Sequence, residues 1–320
     1  VALGRGPGGG VGDAVGPRVV GHGARHDDPD WQAYLADLET LFPVKLAELG
    51  AEHVNGDENG KRFGMSKAAG CTRAAALKYL GHEAEPFSGS TLVTFHIGHL
   101  LECMAIASLR ACGYQVDGAQ SAVTIDPMMH SYSDGIIQWN DGPALLSVKT
   151  IGYKKSGKQG SKWVRQGFPA LPFDGVYAGQ PSWWAQAQAE MHGSGIHETL
   201  VLAVAKDIVK AMDGDPYLGD EGNGSLTWYA QLIQYDPEFC AKQLLPVWQT
   251  TWDSVTDGKA GPALVWNPQQ GQYKRLVDPG DTKNGWGGPN REVTGTFNPC
   301  FGCDFAKACV QELANDYKRR

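Results

Sequence analysis

The stretch from His130 to Thr150, HSYSDGIIQWNDGPALLSVKT, constrains the fold more than any other part of the chain. Two runs of apolar and β-branched residues, GIIQW and ALLSVK, flank Asn140-Asp141-Gly142-Pro143. Such a pattern predicts two strands joined by a turn. Side chains alternate across a strand, so Ser147 and Lys149 share one face of the second. Asp134 stands at the start of the first. The stretch therefore places a carboxylate on one strand beside a Ser-x-Lys on its neighbour. Two ordinary strands with a surface Asp and Lys are the bland alternative.

The flanking chain supplies helices. Residues 95–112, FHIGHLLECMAIASLRAC, form the clearest amphipathic pattern, and His99 and Glu102, three apart, fall on one side of it. Residues 114–125 then read as a strand. Pro181 to His192, PSWWAQAQAEMH, opens as a helix start should and sets Gln186 four residues before Glu190. Further strands are expected at 199–205 and 225–235, and a helix over 237–255 containing Cys240. Helices are also expected at 31–49, with a break at Pro43, and at 66–81. The Gly-, Pro- and Asn-rich stretch 261–298 reads as surface loop. Residues 1–28 hold too little apolar surface to offset their ordering entropy and read as a flexible Gly-rich tail, leaving 29–320 as one domain.

Composition narrows the function. At 320 residues, 42% hydrophobic and 20% charged, the chain is of globular type, and no run of eighteen apolar residues exists to span a membrane. The N-terminus shows no secretory pattern, so a cytoplasmic setting is the expectation. A net charge of −7 argues against a protein that coats nucleic acid non-specifically. It leaves room for one local basic patch. Lys149, Lys154, Lys155, Lys158, Lys162 and Arg165 cluster between Pro143 and Phe173, a stretch without Asp or Glu. Either they are a solvated lysine loop or they grip phosphates beside the second strand. Trp163, Trp183 and Trp184 are either core residues or platforms for bases.

Seven cysteines, an odd number in a chain expected to stay inside the cell, point to metal rather than disulfides. Cys300-x2-Cys303-x5-Cys309 is the least accidental spacing, and Cys71 is the candidate fourth ligand. Cys103, Cys112 and Cys240 sit in or just after helical patterns and read as structural.

The early cysteine with Arg73 two residues on, the three late cysteines, and Asp134 with Lys149 between them together resemble the PD-(D/E)XK nucleases. The closest pattern is that of RecB-type nucleases with an iron–sulfur cluster. These include the CRISPR-associated Cas-four nucleases, AddB-type helicase–nuclease subunits and related phage recombination exonucleases. The resemblance covers roughly residues 66–310. It implies an α/β, restriction-endonuclease-like core of αβββαβ order. A 4Fe–4S cluster on Cys71, Cys300, Cys303 and Cys309 would join segments 66–81 and 298–320, with zinc as the alternative. Ser147 departs from the pattern, standing where the second acid belongs, and Glu190 stands where a Tyr follows the helix Gln. A minority of the superfamily reads Ser-x-Lys and takes its acid from the following helix.

The resemblance implies Mg²⁺ or Mn²⁺ held by Asp134, Glu190, the Val148 carbonyl and His99 or Glu102. Lys149 would act on the attacking water and the phosphate, and Gln186 would hold water or phosphate. It further implies an exonuclease on linear or single-stranded DNA, in recombination, repair or spacer capture. The partner would be a recombination, helicase or CRISPR adaptation protein, with room for an oligomer. A catalytically silent relative that binds DNA or a partner is the other reading, because Ser147 removes a ligand.

Overall fold

The computed structural model describes residues 62–85, 89–118, 121–140, 142–159, 162–167, 171–205, 228–283, 287–294 and 298–318, with positions 33, 36 and 285. The tail at 1–28 and most of the helix expected at 31–49 lie outside the described residues; Ala33 and Ala36 are helical.

A short strand β1 (Phe63–Gly64) leads through a 3-10 turn at Met65–Lys67 to helix α1 (Thr72–Tyr79). The long helix α2 (Gly89–Ala111) precedes five strands, β2 (Val116–Asp117), β3 (Ser121–Ile125), β4 (Met129–Ser133), β5 (Gly135–Trp139) and β6 (Gly142–Ile151). The expected turn joins the last two, and Asn140 occupies its left-handed position at φ 50°, which Asn tolerates. A hairpin, β7 (Tyr153–Gln159) and β8 (Lys162–Gly167), follows. Then come α3 (Leu171–Gly179), α4 (Pro181–Ser194), β9 (Glu198–Ala205) and β10 (Trp228–Gln234). The last part runs from Pro237–Phe239 through a π-helical turn at Cys240–Leu244 into α5 (Leu245–Thr256). After it lie β11 (Leu264–Asn267), β12 (Gln272–Arg275), α6 (Pro289–Thr294) and α7 (Ala306–Lys318).

The central sheet has the order β10-β9-β6-β5-β2. β6 and β9 pair in parallel and the other neighbours antiparallel, giving a mixed sheet. Strand alternation assigns its faces. Leu146 and Val148 pack with Ala105 and Ile106 of α2, whereas Leu145 packs with Ala187 and Met191 of α4. The fold is thus a mixed α/β sheet between helices. A second sheet, β1-β4-β3, lies against α4. The approach is close: a Cβ on Gly193 would stand 2.8 Å from the Thr124 carbonyl oxygen, so only glycine lets the end of α4 reach β3.

Three readings of the sequence change. Residues 114–125 are two strands rather than one, because Gly118 turns the chain at φ 58°. Residues 153–167 are a hairpin rather than a loop. Residues 261–298 are not merely surface: Ala263, Val265 and Leu276 are buried with Cys300, and Cys71 packs against them.

Candidate active site and cysteine pocket

β6 outruns β5. Their last pair is Gly135 with Leu146, so beyond it the β5-facing edge of β6 has no strand partner from β5. Asp134 takes that place: its Oδ2 accepts from the Val148 N–H at 2.7 Å. In an extended strand the N–H and C=O of one residue point the same way, so the Val148 carbonyl also looks toward Asp134. Ser147 and Lys149 share the face of Leu145, the one that α4 covers. Ser147 is buried there and Lys149 half-buried.

Glu190 meets them from α4. It is 2% exposed, and the Ser131 hydroxyl (2.7 Å) and the Gln186 amide (2.8 Å) both donate to its Oε1. Burial pushes its carboxyl above the usual range. Lys149 and the two donors pull it back, and Asp134 adds to the push. Asp134, Lys149, Glu190 and Gln186 therefore form one group. Each carboxylate has one oxygen tied down, and among the described residues nothing bonds Asp134 Oδ1 or Glu190 Oε2. Next to Asp134, Ser133 is 1% exposed and its hydroxyl has no partner among the described residues. Ser131 and Ser133 were not singled out from the sequence. The signal was the alternation His-Ser-Tyr-Ser ahead of Asp134, which puts both hydroxyls on one strand face.

His99 and Glu102 pair with each other at 3.7 Å on α2, the helix covering the opposite face of the sheet from α4. The backbone of the basic segment is the β7–β8 hairpin, with Lys154 opposite Gln166 and Lys158 opposite Trp163. The side chains of Lys154, Lys155, Lys158, Lys162 and Arg165 lie outside the described residues. Trp184 is partly buried and stacks at 6.0 Å on Trp266 in the core.

A second cluster brings Cys71 together with residues near 300. Cys71, Cys300, Cys303 and Cys309 line one pocket with Leu77, Leu276 and Phe305. Cys71 is the N-cap of α1, not a residue inside it. Burial pushes its thiol up to about 12, against the pull of the Ala74 and Arg73 N–H groups. Burial also raises Cys300, Cys303 and Cys309. Arg73, 6% exposed, donates to the Gly261 carbonyl at 2.7 Å and lies against Cys309; its Nε has no partner among the described residues. Asn290 Nδ2 donates to Cys300 Sγ at 3.5 Å. Cys103 and Cys240 are buried in the core, as their helical positions implied, and Cys112 is half-buried.

Among the described residues, no three His, Cys, Asp or Glu side chains are close enough to hold one metal ion, and no helix is long and apolar enough to cross a membrane. Neither a protein-family model nor a curated protein matches the chain. Among solved structures, an alkaline exonuclease from Laribacter hongkongensis is similar at a TM-score of 0.37 and 11% identity, over 62% of this chain and 93% of that one. The same enzyme in complex with dAMP gives 0.35 and 14%, over 69% and 91%. SSO0001 gives 0.33 and 12%, over 62% and 77%.

Proposed function

We propose that the chain is a divalent-metal-dependent DNA exonuclease of the iron–sulfur RecB type, acting on linear or single-stranded DNA in recombination, repair or spacer capture. The observation that carries the proposal is Glu190, a buried acid on α4 grouped with Asp134 and Lys149 across the face where Ser147 leaves the strand without one. A merely structural position on α4 would favour an apolar residue there.

The donors fit Mg²⁺ or Mn²⁺. Such ions prefer oxygen and are commonly held by one or two carboxylates with several waters. Asp134 Oδ1, Glu190 Oε2 and the Val148 carbonyl are oxygens of that kind, and fewer than three acids suffices. An ion held by these oxygens would polarise the phosphoryl oxygen and lower the pKa of a bound water. Lys149 would then stabilise charge developing on the phosphate. Gln186, bonded to Glu190, would orient that acid rather than hold the water. His99 or Glu102, on α2 across the sheet from α4, would be the further ligand that the nuclease resemblance implies.

The cysteine pocket fits a 4Fe–4S cluster. Four cysteines line one pocket, and four thiolates are the number that such a centre takes. Arg73 is a permanent cation with no carboxylate partner among the described residues, and four thiolates around a cluster would supply its counter-charge.

The test is a digestion of linear DNA with Mn²⁺, stopped by chelator and repeated with Asp134→Asn, Lys149→Ala and Glu190→Gln. Cleavage by the parent and loss in all three supports the enzyme. An inert parent that still binds DNA supports the silent relative.

A further inference from the structure

We propose that Ser131 is a positioning residue for Glu190, an inference that rests on the metal-dependent reading of this site. β4 is the middle strand of its sheet, and Ser131 lies opposite Val123 on β3. Met129, Ser131 and Ser133 share the face that α4 covers, where Met129 packs with Ala185 and Ala189. A mid-strand, helix-facing position favours β-branched or aromatic residues, and a hydroxyl there needs a partner. Ser131 has one: Oε1 of Glu190, at 2.7 Å.

The choice of oxygen matters. Gln186 donates to the same Oε1 from one turn earlier on α4. The two donors approach from different elements, one fixed on a sheet and one on the helix. Together they fix the carboxylate about its last torsion and leave Oε2 as the oxygen for a ligand. With Gln186 alone, both anchors of the acid would belong to α4. Ser131 ties it to the strand that runs directly into Asp134. It thereby sets the separation of the two carboxylates, and an ion shared between them depends on that separation.

The experiment uses the full chain and compares Ser131→Ala, Ser131→Cys and Ser131→Thr with the parent. Free Mn²⁺ is followed by electron paramagnetic resonance for binding, and cleavage of linear DNA is measured across a Mn²⁺ titration. A hydrogen bond to a charged group is worth about one to two powers of ten in an equilibrium constant. Ser131→Ala is therefore expected to raise the Mn²⁺ needed for half-maximal binding and cleavage by roughly tenfold or more. The maximal rate should return within a few-fold at excess Mn²⁺. Ser131→Thr, which keeps the hydroxyl, should restore the parent's Mn²⁺ dependence, with Ser131→Cys between the two. A folded Ser131→Ala protein with unchanged Mn²⁺ dependence would overturn the inference while leaving the nuclease reading intact. So would a folded Ser131→Thr protein as impaired as Ser131→Ala. A parent that neither binds Mn²⁺ nor cleaves defeats the nuclease reading, and the inference with it.

Discussion

The carboxylate site and the cysteine pocket both bury ionisable groups, and they solve that problem in opposite ways. The carboxylate site is compact in sequence, running from Ser131 to Glu190, and the protein itself supplies donors to its acids. The cysteine pocket joins Cys71 to residues beyond 300, and what it places beside the thiols is a cation, Arg73. The first holds its charges with its own hydrogen bonds. The second has a positive charge and four raised thiols, a balance that improves only when thiolates form. A ligand is therefore expected to be optional for folding in the first and integral to it in the second.

The largest effect should come from the pocket. With the proposed cluster in the pocket, anaerobically purified protein is expected to be brown, with broad absorbance near ~400 nm typical of thiolate-bound iron–sulfur centres. Cys303→Ala is expected to abolish that colour. It should also cost most of the soluble yield. The two segments do have other ties: Lys307 pairs with Glu85 at 2.6 Å, and the Glu85 N–H donates to the Asp304 carbonyl at 3.0 Å. Such an exposed ion pair contributes about 0–1 kcal/mol, too little to replace a cluster. Colourless, well-folded protein with stoichiometric zinc would break the contrast on the side of the cofactor.

The carboxylate site should lose activity without losing structure. Asp134→Asn, Lys149→Ala and Glu190→Gln are each expected to reduce Mn²⁺-dependent cleavage by about a thousandfold or more, because metal binding and charge stabilisation act as a unit. DNA binding and the melting curve should change little. Returning the acid to the strand, as Ser147→Glu in the Glu190→Gln background, should recover part of the rate. Full activity in Glu190→Gln would show that the acid on α4 is not the displaced ligand.

How far these sites could be read in advance differs for physical reasons. Asp134, Ser147 and Lys149 were legible because strand alternation and a strong turn fix their faces. The relation of Gln186 to Glu190 followed from helical spacing. Ser131 was not legible, because its role depends on packing between a second sheet and α4, which no local period encodes. Residues 261–298 misled because Gly, Pro and Asn usually mark exposed loops. Here buried Asn side chains satisfy the backbone instead. Asn267 Oδ1 accepts from the Gln269 N–H at 2.9 Å, Asn290 Oδ1 from Val277 at 2.8 Å, and Asn298 Oδ1 from Cys300 at 3.0 Å. With those groups bonded, irregular backbone can be buried against the cysteines.

A smaller effect concerns the hairpin. Replacing Lys154, Lys155, Lys158 and Lys162 together is expected to weaken DNA binding and to flatten its salt dependence by ~0.7 to 0.9 log units per lost phosphate contact. An unchanged slope would assign DNA contact to another surface.

The smallest effect tests how completely the carboxylate site satisfies its own charge. The Glu190 carboxyl is raised in the folded protein, with burial as the first cause, so the native state holds its proton to higher pH than the unfolded chain does. Stability falls with pH wherever the native state binds more protons. The metal-free protein should therefore lose stability as pH rises from the unfolded value of 4.5 through the raised native value, and then level off. Ser131, Gln186 and Lys149 limit the loss without cancelling it. Glu190→Gln removes the titration, so at neutral pH the metal-free variant should melt higher than the parent. Saturating Mn²⁺ should close or reverse that gap, because only the parent carries the ligand whose ionisation the ion favours. A Glu190→Gln protein that melts lower than the parent without metal would mean that the two donors and the Lys149 charge overcompensate the burial. The acid would then be a structural anchor, and the contrast with the cysteine pocket would rest on the cofactor alone.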